Sequence, residues 1–249
     1  MSFKNTVISI FVVVVVALML AEGEPKPYAH WSYDKEEGPK NWSSLDERFH
    51  MCEEGLNQSP INITNAIDAE LNPLMFEGNS NATTFVNNGH TVQVNISGGN
   101  KLKIDNKEYS LKQIHFHTPS ENQINGKSFP MEAHLVHANN SGSLAVVGIM
   151  FEEGQENLVL NKLLRNLPEN ADDKNILKSE VNGYEILPTT KEYFRFNGSL
   201  TTPPCTEGVK WFVLKTPVQA SKSQLNDFAK VMPKNNRPLQ EVNARTILD

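Results

Sequence analysis

The sequence predicts a single domain of mixed α+β class, mainly β, and three observations carry that prediction. Segments that alternate apolar with polar residues recur through the middle of the chain, which is the pattern of half-buried strands. Only two stretches repeat apolar residues at helical spacing. No regular alternation of strand and helix is present, and this argues for a largely antiparallel sheet with peripheral helices. Neither an internal repeat nor a low-complexity linker divides the 249 residues, so one domain over residues 24–249 is the simplest division.

Residues 1–23 stand apart from that domain. Lys4 precedes an apolar run over residues 7–21 in which Ser9 is the one polar residue. The run is short for a membrane span and suits the apolar core of a secretory signal peptide after a basic start, with cleavage near Ala21 or Gly23. An uncleaved N-terminal anchor is the alternative. Residues 24–42 are rich in Pro, Gly, Tyr and Trp and predict a surface segment with little regular structure.

Strands are predicted over residues 90–96, 101–104, 108–117, 131–138, 144–151 and 209–214, with turns at Asn87-Asn88-Gly89, Gly98-Gly99 and Asp105-Asn106. Leu160, Leu163, Leu164 and Leu167 predict one helix, ended by Pro168. Leu225, Phe228, Ala229 and Met232 predict a second; Ser221 and Gln224 form a capping-box pattern before it, and Pro233 follows it.

The formal charge of −6 and the absence of a basic cluster give no footprint for nucleic acid or for anionic lipid. Cys52 and Cys205 are the only cysteines. An isolated pair in an exported chain reads as a disulfide, the alternative being two separate buried thiols. Their wide separation, and the absence of a C-x-x-C form, argue against a metal pair.

Four histidines fall in KQIHFHTPSEN (residues 112–122) and MEAHLVH (residues 131–137). Side chains two apart on a strand share a face, so His115 and His117 project together while Phe116 points away. On the second strand Glu132, His134 and Val136 share one face and His137 takes the other. Three histidines from two strands can then converge, with Gln113 and Glu132 beside them to fix ring orientation. Three neutral imidazoles leave one tetrahedral zinc position open, as catalytic sites require. Spacing alone names no reaction.

The surrounding blocks do. HWSY, GPKNW, NQSPINI, NNGH, QIHFHTPSE, MEAHLVH, GSLTTPPCTEGVKW and NNRPLQ together resemble the α-class carbonic anhydrases, in order, over residues 30–245. They look most like the exported bacterial members. The resemblance implies a roughly ten-stranded twisted sheet with a Zn2+ ion in a cleft, held by His115, His117 and His134. It implies reversible hydration of carbon dioxide to bicarbonate and a proton by zinc-bound hydroxide. Thr201 would orient that hydroxide with Glu121 as its acceptor, and His90 would shuttle protons. Thr202 would help hold bicarbonate or water. Val136, Val146, Leu200, Val209 and Trp211 would form the apolar substrate wall, and Tyr33, Asn87, Asn88 and Gln93 would line the water path. His137 matches a structural position. Sulfonamide and anion inhibitors, periplasmic or secreted localisation and a homodimer are further expectations. The chain departs from the family pattern at Thr118, after the second zinc histidine, and at Asn122, where relatives often carry His; neither is a predicted ligand. N-x-S/T tripeptides at Asn41, Asn62, Asn81, Asn95, Asn139 and Asn197 become glycosylation sites only in a eukaryotic source.

Two other functions are weighed against this one. A zinc esterase would use the same hydroxide, but the small apolar wall argues against bulky substrates. A non-enzymatic storage or binding member of the fold would be expected to have lost zinc histidines, and this chain has all three.

Overall fold

The structure is a computed structural model that describes residues 26–177 and 181–249; the predicted signal segment lies outside the described residues. Its strands are β1 (Asn62–Ile63), β2 (Met75–Glu77), β3 (Ala82–Asn87), β4 (Val92–Ile96), β5 (Lys101–Ile104), β6 (Lys107–His117), β7 (Gln123–Ile124), β8 (Met131–Ala138), β9 (Leu144–Glu153), β10 (Lys174–Ile176), β11 (Tyr193–Ser199), β12 (Glu207–Leu214) and β13 (Val218–Ala220). The α-helices are α1 (Trp42–Leu45), α2 (Met51–Glu54), α3 (Leu158–Leu164) and α4 (Lys222–Val231).

Eleven strands form one sheet in the order β10-β3-β4-β6-β8-β9-β12-β11, with β5 also on β6, β2 on β5 and β13 on β9. Most pairs are antiparallel, as the alternating pattern predicts. The exceptions in this sheet are β9–β12 and β9–β13, which run parallel because a long excursion separates them in sequence. Asp105 and Asn106 both take positive φ (49° and 56°), and the two-residue turn they make pairs Ile104 with Lys107. Such a turn matches the right-handed twist of the strands it joins.

The two faces of the sheet differ. On one, Val94, Ile114, Leu135, Val147 and Phe212 form a cross-strand row inside the main core, which α3 and α4 cover with Leu160, Leu163, Leu225 and Phe228. The predicted capping box of α4 forms, and Gln224 also bonds the main chain of Asn157, the N-cap of α3, joining the two helix starts. A second core lies on the other face, built from β9, β11, β12 and the small β1–β7 pair. Trp42, Phe49 and the Cys52–Cys205 disulfide make a third cluster at the edge of the cleft.

Candidate metal centre

Register places the site. One row across the cleft face runs Val86, Gln93, His115, His134, Gly148 and Val213; the next runs Thr84, Asn95, Gln113, Val136, Val146 and Trp211. Each row is polar on β4 and β6 and apolar on β9 and β12. His117 stands opposite Glu132 one row further along. Gly148 leaves the room this needs, since a Cβ there would come within 2.9 Å of Glu132 Oε1.

The ring nitrogens of His115, His117 and His134 converge to within 4.8 Å of one another, the one such cluster of His, Cys, Asp and Glu among the described residues. The opposite nitrogen of each ring faces an acceptor. His115 Nδ1 lies 2.9 Å from Gln113 Oε1, His117 Nδ1 lies 2.7 Å from the Asn235 carbonyl, and His134 Nε2 lies 2.9 Å from Glu132 Oε1. A carbonyl can only accept, so in His115 and His117 the Nδ1 carries the proton and the converging nitrogen keeps a lone pair; His134 Nε2 lies close to the Glu132 carboxylate but is not aligned with it as a hydrogen bond. Burial pushes all three imidazoles down in pKa, toward the neutral form a metal requires. His117 Nε2, His134 Nε2 and Glu121 Oε2 are all buried here without a hydrogen-bond partner. This donor set fits a zinc ion with an open fourth position.

Glu132 is held as well as holding. Its Oε2 accepts from the Glu121 and Asn122 amides, each at 2.9 Å, and its Oε1 accepts from Asn122 Nδ2 at 2.8 Å. Glu121 is buried beside the cluster, with Oε2 3.5 Å from His117 Nε2. Burial pushes the Glu121 carboxyl up to about 8, opposed by the hydrogen bond from the Arg237 amide to Oε1 and by the neighbouring Thr201 hydroxyl.

Thr201 sits in a turn fixed at both ends. Leu200 N donates to Thr206 O, Cys205 N donates to Thr202 O, and Ser199 exchanges hydrogen bonds with Ser59 of the NQSP segment. Val136, Val146, Leu200, Val209 and Trp211 belong to one apolar cluster, with the Trp211 ring edge-on to His134 at 4.8 Å.

His90 is half-buried in the turn two residues before β4. Its ring stacks on Trp31 with centroids 3.8 Å apart and planes 6° from parallel. Asn88 Oδ1 accepts from the His90 and Thr91 amides, while Asn87 bonds Gly89 N and Pro168 O, so both side chains build the turn. Gln93 donates to Asn95 Oδ1. Tyr33 packs edge-on to Trp31 and Trp42, and its burial raises its pKa. His137 lies on the opposite face, stacked on Tyr184.

Two residues of this network come from beyond the histidine strands. The Asn235 carbonyl orients His117. Arg237, fully buried, donates its guanidinium to Gln58 Oε1, Ser59 O and Cys52 O, each at 2.8 Å, while its amide holds Glu121. Both fall in NNRPLQ; the block was legible by resemblance, but nothing local marks these two positions.

A mainly β fold with three convergent histidines and an open metal position defines a zinc hydratase or hydrolase. The family model for eukaryotic-type carbonic anhydrase matches residues 37–249, and the chain belongs to that α-type carbonic anhydrase family of zinc enzymes, which hydrate carbon dioxide. It is similar to the carbonic anhydrase of Pectobacterium atrosepticum, at 44% identity over 237 residues, 94% of this chain and 97% of the relative. Among solved structures it resembles the α-carbonic anhydrase of Photobacterium profundum, with TM-score 0.85, 48% identity and coverage of 88% and 100%. The Thermovibrio ammonificans α-carbonic anhydrase in complex with the inhibitor sulfanilamide aligns with TM-score 0.88 and 44% identity, over 90% of this chain and 100% of that one.

Proposed function

We propose the following division of roles for the reversible hydration of carbon dioxide. His115, His117 and His134 would hold zinc through their converging ring nitrogens, with Gln113, Asn235 and Glu132 fixing the rings. When bound, zinc makes hydroxide available near neutral pH, an effect for which carbonic anhydrase is itself the standard example. Thr201 commits its own proton to Glu121, so its oxygen faces the reacting oxygen as an acceptor and turns a lone pair toward the substrate carbon. The apolar wall of Val136, Val146, Leu200, Val209 and Trp211 receives uncharged carbon dioxide, and Thr202 helps hold bicarbonate. His90 carries the released proton to buffer along water near Tyr33, Asn88 and Gln93, since an imidazole titrates in the working pH range.

The observation that carries this reading is the convergence of three ring nitrogens, with the opposite nitrogens of His115 and His117 hydrogen-bonded and that of His134 beside the Glu132 carboxylate. Stopped-flow hydration before and after zinc removal tests it. Fast hydration that vanishes with the metal and returns on its addition supports the assignment; slow hydration with zinc bound overturns it. Sulfonamides and small anions should inhibit by taking the open position, as a titration with sulfanilamide would show. Export accords with the disulfide and the N-terminal apolar run, and the mature N-terminus read by mass spectrometry checks it. Sedimentation tests the expected homodimer.

A further inference from the structure

The stack of Trp31 on His90 depends on a segment that is otherwise loosely built. Residues 26–33 hold no helix or strand, yet the main chain is pinned at two places. On the far side, the Trp42 indole donates to Ser32 O at 2.9 Å. On the near side stands an ion pair. Asp46 and Arg48 meet in a two-point contact, Nε to Oδ1 at 2.7 Å and Nη2 to Oδ2 at 2.5 Å. The pair then grips the segment from both charges. Arg48 donates to the carbonyls of Lys26 and Pro27 at 2.7 and 2.9 Å, and the Ala29 amide donates to Asp46 Oδ2 at 3.1 Å. Tyr28 lies over the guanidinium, 4.2 Å from ring centre to Cζ. Hydrogen bonds from an ionised pair in such a planar fork are the strong kind and carry direction as well as energy.

Trp31 lies between these two anchors, two residues from Ala29 and one from Ser32. Trp31 also meets Trp42 and Tyr33 edge-on, at 5.3 and 5.6 Å, so release on the near side leaves it held from the Ser32 side alone and loosens its parallel contact with the His90 ring at 3.8 Å. The His90 main chain does not depend on the segment: Asn88 Oδ1 holds its amide and Asn235 Nδ2 donates to its carbonyl. We infer that Asp46 and Arg48 are positioning residues for proton transfer, clamping the N-terminal strap so that Trp31 holds the His90 ring in its working orientation. The inference rests on the shuttle role proposed for His90.

Arg48→Ala and Asp46→Ala in the zinc-loaded enzyme test it, with His90→Ala as reference. In weak buffer, where proton removal limits turnover, each clamp variant should lose kcat several-fold while kcat/KM for hydration stays at its starting value. Added imidazole, a mobile proton carrier, should restore the lost kcat. Arg48→Ala placed on His90→Ala should cost nothing more. An NMR reading independent of activity accompanies these: the His90 ring protons should carry an upfield shift from the stacked indole, and Arg48→Ala should remove it. If kcat holds or rises, if kcat/KM falls in step with it, or if the ring-proton shift is unchanged, the clamp has no such role. If His90→Ala itself keeps full kcat in weak buffer, the shuttle reading fails first, and the two failures are told apart.

Discussion

In the proposed arrangement the Thr201 hydroxyl gives its one proton to Glu121, which must then be ionised; burial opposes that, and a zinc ion on the neighbouring histidines would favour it. Glu121 is held on its other side by the Arg237 amide, so it cannot swing away without leaving a buried donor unpaired. With its proton committed there, as proposed, Thr201 would offer only lone pairs to the reacting centre. Replacing Thr201 by Ala would remove the proposed hydrogen bond to the Glu121 carboxylate, a type worth about 1.5–3 kcal/mol. The expected result is a fall of about 10- to 100-fold in kcat/KM at unchanged zinc content. Hydration rates paired with metal analysis check it, and Thr201→Ser should retain most activity.

At the scale of elements, β6 and β8 carry the site on one face and the core on the other. Phe116, between two zinc histidines, packs on Phe228 of α4 with ring centroids 4.9 Å apart. Phe228 is fully buried, so Phe228→Ala should cost about 3–5 kcal/mol in urea unfolding, since lost transfer energy and the residual cavity add. His137 is the back-face histidine of β8. Burial holds its pKa down at about 4, below the ordinary 6.5. The unfolded chain therefore takes up a proton below pH 6.5 that the folded chain refuses until about pH 4. Stability from this residue is full above pH 6.5 and falls by about 3 kcal/mol as the pH drops to 4, with no further loss beneath. Unfolding free energies from pH 7 to 4 should converge for the protein and its His137→Gln variant by that amount. Parallel curves would mean that His137 does not bear the cost.

For the whole molecule, the disulfide ties the two ends of the fold. Cys52 and Cys205 are 153 residues apart, and closing so long a loop stabilises by about 4–5 kcal/mol on the chain-entropy model. Cys205 also follows the turn bearing Thr201, and Arg237 bonds the Cys52 carbonyl while its own amide holds Glu121. Reduction should thus lower hydration activity before the global transition seen by circular dichroism. Coincident losses would refute the local role and leave the disulfide a purely global restraint.

How much of this was legible follows from the range of each signal. Side-chain alternation is local, so 101–104 and 131–138 read correctly to the residue, and the facing of His115, His117 and His134 came from period two alone. The capping box of α4 was equally local. Short edge strands such as β2, β10 and β13 have too few residues to show a period, and they were not predicted. β11, longer but irregular in its alternation, was missed for want of a clean pattern. Asn88 and Gln93 were expected along the water path, yet their amides also serve the turn and Asn95, a choice made by neighbours that no spacing reveals. The sequence by itself determined the class of fold, the metal-binding face and, through its blocks of resemblance, the family. Only the tertiary structure decided which partner each imidazole meets, that Arg237 joins the disulfide to Glu121, and that a strap lays Trp31 on His90. Those contacts join residues remote in the chain, and packing, not periodicity, brings them together.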